Sequence, residues 1–172
     1  MYVYLLLLGI EVPCNNFLLT EECDFLINYF NEYYHNFNEI YESSQLIPLR
    51  GTPVYHLRKN LIRRKIINFV LKNYPLLKFN FDQLVKRQLG VYTKMHRDRD
   101  HDPFKIDWTL VCYLNDDFEG GETLLRTLPG VESITINPIK GRAALFNSKK
   151  LLHGTSIPSN NRYTYIAWWQ EN

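Results

Sequence analysis

The sequence predicts a mainly β domain in which two N-terminal helices support an antiparallel β-barrel or sandwich. Helical spacing of apolar residues is confined to the N-terminal part of the chain, and short β-rich runs separated by turns follow from Phe81. With 172 residues, 45% of them hydrophobic, the chain can bury a core without disulfide or metal support. We therefore predict a single domain over residues 1–172, with helical support at about 17–75 and the β-core at about 81–170.

The N-terminal segment 1–10 is apolar but falls short of the roughly 20 residues that span a bilayer. It also lacks the basic start and the small-residue cleavage site of a signal peptide. We predict a buried or edge strand here, with an uncleaved targeting segment as the alternative. No membrane span is expected. The three cysteines are not in metal spacing and are predicted to be reduced thiols in the core. A cytoplasmic location is the corresponding expectation.

Two stretches are predicted to be helices. Thr20 can cap the first, with acids in the first turn, and this helix is expected to fade between Tyr33 and Phe37. Loop or short extended pieces are expected over 38–53, and the second helix over about 54–72. The apolar stripes that predict these helices are Cys23, Leu26, Ile27 and Phe30 in the first, and Leu57, Leu61, Ile62, Ile66 and Phe69 in the second.

Six short runs after Phe81 carry β-forming residues, and glycine- and proline-containing turns separate them. Because only glycine enters positive φ at low cost, Gly120 and Gly121 are predicted to form one of these turns. The predicted strands are 83–95, 106–114, 122–126, 133–136, 142–146 and 163–169.

The charge pattern gives little indication of a charged partner. The net charge is +2 and the pI is near 8.4, which is too mild to indicate nucleic acid. Basic residues cluster at 58–59 and 63–65, where their helical spacing favours a solvated helix face over contact with an acidic partner.

A candidate metal site begins at His96 and Asp98. On a strand, side chains two positions apart leave the same face. A third ligand from a distant strand, with His153 as the candidate, would complete a 2-His-1-carboxylate site with open positions, the arrangement of non-heme Fe(II) oxygenases. Arg162, nine residues after His153, could then bind a carboxylate through two parallel hydrogen bonds. The His-x-Asp pair alone is weak evidence, because a structural histidine beside an ion pair has the same spacing.

Further motifs accompany these residues in order. Tyr113-Leu114-Asn115 is followed by Gly120-Gly121-Glu122-Thr123, and a run from Lys140-Gly141 to Phe146 precedes His153 and its Gly154. Taken alone, Tyr113 could be a plain strand aromatic, Arg162 a surface salt bridge and Trp168 a core residue.

Together these motifs, spread over about 81–169, resemble the Fe(II)- and 2-oxoglutarate-dependent dioxygenases, and above all their prolyl 4-hydroxylase-like branch. The resemblance implies a double-stranded β-helix, or jelly roll, which agrees with the predicted strands. It also implies that His96, Asp98 and His153 hold the iron and that Arg162 binds the distal carboxylate of 2-oxoglutarate. The other implied contacts of 2-oxoglutarate are Tyr113, which would hydrogen-bond it, Thr123, which would line its pocket, and Trp168, which would pack beneath it.

The activity implied by the resemblance is hydroxylation of a protein or peptide substrate, most of all at a prolyl residue. The cofactors implied are Fe(II), 2-oxoglutarate as co-substrate and O2, with release of succinate and CO2, and ascorbate is suggested as a supporting reductant. No side chain beyond the metal ligands is expected to be catalytic. Because histidines ligate metals as neutral imidazoles, metal affinity is expected to fall at acidic pH.

The sequence departs from the family pattern at two positions that bear on the site contacts and on the substrate class. Arg87-Gln88 stands where many relatives carry Arg-Tyr, which puts one cofactor or substrate contact in doubt. Trp168 stands where members that repair alkylated nucleic acids carry a second arginine, which argues against a nucleic-acid substrate. The loops 39–55 and 99–105 are expected to select the substrate. The alternatives are the same chemistry on a lysyl or other peptidyl residue or a free amino acid, and a non-catalytic binding protein, which should have lost at least one key residue.

Overall fold

A computed structural model describes residues 10–33, 39–41, 44–48, 57–98, 105–127 and 133–172. The strand predicted at 1–10 therefore lies outside the described residues except at Ile10, where the first strand begins. Much of the loop 39–55 and nearly all of 99–105 also lie outside them. Within 39–55 the structure describes two short strands, which agrees with the short extended pieces expected there.

Helix α1 (Thr20–Tyr33) forms where it was predicted, but its cap lies one residue earlier than expected. The Glu22 carboxylate accepts a hydrogen bond from the Leu19 backbone N–H at 2.8 Å, so Leu19 occupies the capping position and Thr20 lies inside the helix. The α1 residues Cys23, Leu26, Tyr29 and Phe30 are buried.

Helix α2 (Leu57–Asn73) turns a slightly different face to the core than predicted. Ile62, Ile66 and Val70, spaced four residues apart, are buried, whereas Leu61 is 54% exposed. The reason is the neighbouring Arg63, whose Nε donates to the buried Asp82 carboxylate at 2.5 Å and so orients the helix on the sheet. The adjacent basic residues 64–65 are exposed, as expected for a solvated helix face.

In the described part of the chain, ten strands form two antiparallel sheets. The major sheet has the order β1-β8-β5-β10-β4-β3-β2, and the minor sheet has the order β7-β6-β9. This is the jelly-roll fold that the resemblance implied. The strands are β1 (Ile10–Cys14), β2 (Glu39–Tyr41), β3 (Ser44–Pro48), β4 (Leu77–Arg87), β5 (Trp108–Tyr113), β6 (Thr123–Arg126), β7 (Ile134–Ile136), β8 (Ala143–Phe146), β9 (Leu152–Thr155) and β10 (Arg162–Glu171).

Two strand predictions were wrong. The strand expected at 83–95 ends at Arg87, because a turn at 88–91, with Gly90 at φ 81°, interrupts it. Strand β9 was not predicted, because its His-Gly sequence has little β-propensity. Pairing with β6 forms this strand, with His153 opposite Leu125 and Gly154 opposite Leu124.

The core has two layers on either side of the major sheet. Alternate residues of β10 separate them: Tyr165, Ala167 and Trp169 pack under the helices, whereas Ile166 and Trp168 face the minor sheet. The layer between the two sheets also holds Tyr113 and Phe146 of the major sheet, with Leu125 and Ile136 of the minor sheet, and it forms the floor of the candidate site.

The cysteines with described side chains, Cys23 and Cys112, are free and buried, as predicted. Burial raises the pKa of the Cys23 thiol to about 11, which keeps it protonated and unreactive at neutral pH. The side chain of Cys14 lies outside the described residues. None of the described helices is both long enough and apolar enough to cross a membrane.

Candidate active site

The structure brings His96, Asp98 and His153 together at one end of the inter-sheet core. Their ligand atoms all lie within 4.8 Å of one another. His96 lies outside the named strands, in an isolated antiparallel bridge whose partner is His153, and Asp98 follows that bridge. The side chains therefore converge because the two histidine backbones pair directly (N···O distances 2.9 and 2.8 Å), not because His96 and Asp98 share a regular strand, as was predicted.

One oxygen of Asp98 faces both histidines. Its Oδ1 lies 3.3 Å from Nε2 of His96 and 3.3 Å from Nε2 of His153. Nδ1 of His96 lies 2.8 Å from the Lys94 carbonyl and can only donate there, so Nε2 carries no hydrogen when the ring is neutral and can then bind a metal. Three ligand atoms thus point at one small volume.

The other oxygen of Asp98, Oδ2, is held by two donors. Thr109 Oγ1 donates to it at 2.5 Å, and the indole Nε1 of Trp168 donates to it at 2.9 Å. Burial raises the pKa of Asp98, but the nearby His153, with the hydrogen bonds from His153, His96 and Thr109, outweighs burial and holds that pKa well below its usual range. The carboxylate is therefore ionised and oriented as a metal ligand requires.

A buried arginine occupies a second part of the same core. Arg162, at the start of β10, is 1% exposed, and its guanidinium lies over the Tyr113 ring at 5.2 Å from the centroid. Its Nη2 donates to Thr123 Oγ1 at 3.4 Å, whereas Nε and Nη1 are buried without a hydrogen-bond partner. Among the residues that the structure describes, none forms a salt bridge with it. Burial lowers the pKa of Arg162, although Tyr113 and Glu122 offset part of the effect.

Two hydroxyl groups adjoin this guanidinium. The Tyr113 hydroxyl donates to Thr123 Oγ1 at 2.6 Å and lies 3.3 Å from the Ile136 carbonyl oxygen. Burial raises the pKa of Tyr113, so its hydroxyl stays protonated and able to donate. Arg162, Tyr113 and Thr123 therefore form a buried cluster of one cation and two hydroxyls that could hold an anion, and we call this cluster the anion pocket.

The glycines near the site allow close backbone approach. Gly120 and Gly121, in the connection between β5 and β6, have φ values of 74° and 69°, the positive range that was expected of them. A Cβ atom on Gly121 would lie 2.7 Å from the Phe118 ring and 3.1 Å from Cδ of Arg162, so a larger residue would displace the arginine. At Gly154 a Cβ atom would lie 2.7 Å from the Thr93 carbonyl oxygen, which would separate the segments carrying His96 and His153.

The residues fit the cofactors that the resemblance implied. Two imidazoles and one carboxylate are the donor set of a non-heme Fe(II) site. Nε and Nη1 of Arg162 have no hydrogen-bond partner among the described residues, and an unpaired buried charge is costly, so the site favours an anion such as a carboxylate of 2-oxoglutarate. Trp168 donates to Asp98 of the candidate metal triad, and its ring stacks on Phe81 with the centroids 4.5 Å apart. The structure therefore places Trp168 beside the triad, which we call the metal end of the site. The cofactor contacts of Arg162, Tyr113, Thr123 and Trp168 stay predictions.

Two functional candidates were missed from the sequence. Thr109 contacts Asp98, and it shares a strand face with Tyr113 four residues later, which was the available signal. Asn115 of the Tyr-Leu-Asn motif donates from Nδ2 to the Asn161 carbonyl at 2.8 Å and accepts at Oδ1 from the Tyr163 N–H at 2.7 Å. It thereby holds the backbone on both sides of Arg162.

Comparisons with known proteins agree with this geometry. The model of the 2OG-Fe(II) oxygenase superfamily matches residues 83–170, just over half of the chain and all of the site residues above. No curated protein matches the chain in sequence.

Solved structures with the same fold include several prolyl hydroxylases. A Pseudomonas putida prolyl-4-hydroxylase has a TM-score of 0.78 at 16% identity, over 98% of this chain and 95% of that chain. The collagen prolyl hydroxylase of Paramecium Bursaria Chlorella virus-1, in complex with 2OG, has a TM-score of 0.71 at 22% identity, over 95% and 96% of the two chains. A Trichoplax adhaerens prolyl hydroxylase bound to a peptide of the hypoxia inducible factor oxygen degradation domain has a TM-score of 0.76 at 16% identity, over 98% and 86%.

Proposed function

The chain belongs to the 2OG-Fe(II) oxygenase superfamily, and on that premise we propose that it hydroxylates a peptidyl substrate, most of all a prolyl residue, with release of succinate and CO2. Enzymes of this superfamily use Fe(II), 2-oxoglutarate and O2. When bound, the iron supplies the redox chemistry that couples decarboxylation of 2-oxoglutarate to hydroxylation of a C–H bond. The remaining tasks, which are binding, orientation and exclusion of water, belong to the side chains of this chain.

Each site residue has a task in this proposal. His96 and His153 would offer Nε2, and Asp98 would offer Oδ1, because Oδ2 is already engaged by two donors. Arg162 would neutralise the distal carboxylate of 2-oxoglutarate with its guanidinium, in a buried setting where low dielectric strengthens the attraction. The Tyr113 hydroxyl, which stays protonated, would turn from Thr123 Oγ1 to donate its one hydrogen to the same co-substrate.

The observation that carries the proposal is the unpaired guanidinium of Arg162 inside the core that also supports the metal triad. An arginine that pairs with a buried carboxylate forms a structural ion pair, as the partly buried Arg63 does with Asp82. Arg162 has no such partner among the described residues, so its burial favours an anionic ligand.

Support for a peptide substrate comes from the site opening and from the related structures. The His96 side chain is 27% exposed, whereas those of Asp98 and His153 are 12% and 11% exposed, so the metal end opens on the His96 side. The Trichoplax adhaerens enzyme of the same fold was solved with a peptide bound.

The first test is anaerobic addition of Fe(II) and 2-oxoglutarate to the purified protein, with the visible charge-transfer absorption as the measurement. We expect a band that requires both additions. His96→Ala is the control, and the band should be absent from this variant. A well-folded wild-type protein without a band would refute the proposal and favour a non-catalytic binding protein.

The substrate is tested by succinate formation with proline-containing peptides, each paired with the same peptide carrying alanine at the proline. Proline-dependent succinate release and a mass gain of one oxygen are expected. Turnover with lysine-containing peptides or free amino acids, but not with proline peptides, would replace the prolyl assignment and keep the reaction class.

A further inference from the structure

A row of side chains across four neighbouring strands lies beneath the metal end. Thr109 of β5 is the cross-strand partner of Trp168 of β10 and, on its other side, of Phe146 of β8. Trp168 is in turn the partner of Phe81 of β4 and stacks on it. Directly opposed residues point to the same face of a sheet. Thr109 and Trp168 therefore both reach Asp98 Oδ2 from this row. The ring centroid of Phe146 lies 5.0 Å from that of His153.

A second hydroxyl orients the first. Thr109 Oγ1 lies 2.8 Å from Ser148 Oγ, and both residues are buried, at 2% and 0% exposure. A hydroxyl has a single hydrogen to donate, and an ionised carboxylate can only accept. Thr109 must therefore give its hydrogen to Asp98, so Ser148 donates to Thr109. Ser148 lies in the turn between β8 and β9, five residues before His153, so this chain of hydroxyls links the segment that carries His153 to Asp98.

We propose that Thr109, oriented by Ser148 and assisted by Trp168, is a positioning residue that restricts Asp98 to metal binding through Oδ1 alone. Two donors on Oδ2 compete with the metal for that oxygen, so coordination by both oxygens is disfavoured. One-oxygen binding leaves more metal positions open for co-substrate and O2. This inference rests on the proposed function, because it requires that the triad binds a metal.

Metal affinity tests the inference without turnover. The probe is Mn(II), titrated by electron paramagnetic resonance without oxygen or 2-oxoglutarate, against wild type, Thr109→Val and Thr109→Ser. The valine keeps the branched shape and removes the donor, and we expect a rise in Kd of about 10-fold or more. Serine restores the hydroxyl, so Thr109→Ser should stay within about twofold of wild type. Ser148→Ala should have a smaller effect, of about 3-fold, because Thr109 can still donate.

The matched control is Thr164→Val. Thr164 is also a fully buried threonine, on the same strand as Trp168, but its hydroxyl has no hydrogen-bond partner within the part of the chain that the structure describes. Its replacement should leave the Mn(II) Kd unchanged. An equal loss of affinity in Thr164→Val and Thr109→Val would show a packing effect and overturn the inference.

The visible bands of bound Co(II) report how Asp98 coordinates. In Thr109→Val the bands should shift and weaken as the coordination number rises, and Thr109→Ser should restore them. Unchanged affinity and unchanged bands in Thr109→Val would overturn the inference. If Thr109→Val does not fold, Trp168→Phe removes the other donor while it retains the ring on Phe81, and the same two readouts apply. Wild-type protein that binds neither metal would instead refute the proposed function itself.

Discussion

At the metal end of the site, around Asp98, the carboxylate has four polar partners from the protein. At the anion end, around Arg162, two guanidinium nitrogens have no hydrogen-bond partner among the described residues. Both groups are charged, and both are largely buried. The metal end is thus preassembled by internal hydrogen bonds, whereas the guanidinium at the anion end carries an unpaired buried charge that an anionic ligand can neutralise. The comparison suggests that the protein binds 2-oxoglutarate by relief of a buried charge and the metal by fit to a fixed geometry.

The most severe test of the metal end is Asp98→Ala. Removal of the only anionic ligand in the triad should abolish both Mn(II) binding and succinate formation, because two imidazoles alone hold a divalent metal weakly. Isothermal titration and a turnover assay measure the two effects. Near-normal activity would mean that the ligand set is wrong.

The pH dependence of metal binding separates the ligands by type. Asp98 has a lowered pKa, so it stays ionised until the pH falls below the ordinary carboxyl range of about 4. The two histidines bind a metal as neutral imidazoles, so the Mn(II) Kd should rise on acidification while Asp98 is still ionised. Since two protons compete with the metal, the limiting slope should be about 100-fold in Kd per pH unit. A limiting slope of one proton would remove one histidine from the ligand set.

At the anion end, Arg162→Ala should raise the 2-oxoglutarate Kd by roughly 100-fold, as expected for loss of a buried charge partner. Mn(II) affinity should remain within about twofold of wild type, because Arg162 has no contact with the triad. Titration of each ligand on the same protein gives both values. An unchanged 2-oxoglutarate requirement would exclude Arg162 as the binding group.

Arg162 has no carboxylate partner among the described residues, whereas Arg63 is paired with Asp82, so the two arginines should respond differently to substitution. In ligand-free protein, Arg162→Met should be neutral or stabilising by about 1 kcal/mol, because it removes an unpaired buried charge. Arg63→Met should destabilise by about 3 kcal/mol, because it leaves the fully buried Asp82 without its cation. Urea denaturation at neutral pH measures both. Clear destabilisation by Arg162→Met would show that the guanidinium already has a structural role.

The smallest expected effect is that of Tyr113→Phe. Loss of one neutral hydroxyl should raise the 2-oxoglutarate Kd by about 5-fold, in line with a single neutral hydrogen bond. The aromatic ring beneath Arg162 remains, so Mn(II) affinity should not change. A change as large as that of Arg162→Ala would mean that the hydroxyl, and not the guanidinium, dominates the anion pocket.

Much of the fold was accessible from local pattern. Helix α1 began where an apolar stripe followed a polar start, and the positive φ values at Gly120 and Gly121 followed from the conformational freedom of glycine. The ordered motifs likewise included His96, Asp98 and His153, which the fold brings within 4.8 Å. These features depend on residue type and on spacing over a few positions, which a single sequence displays directly.

The remaining features depend on pairing between distant segments. Strand β9 exists because β6 lies beside it, and Thr109 meets Asp98 because β5 and β10 align Thr109 with Trp168. Ser148 reaches Thr109 across 39 residues of chain. Cross-strand register is set by how two sheets bury their apolar faces together, so no local pattern encodes it. The candidate site residues could therefore be named from the chain alone, whereas their orientation and hydrogen-bond partners were set only when the sheets packed.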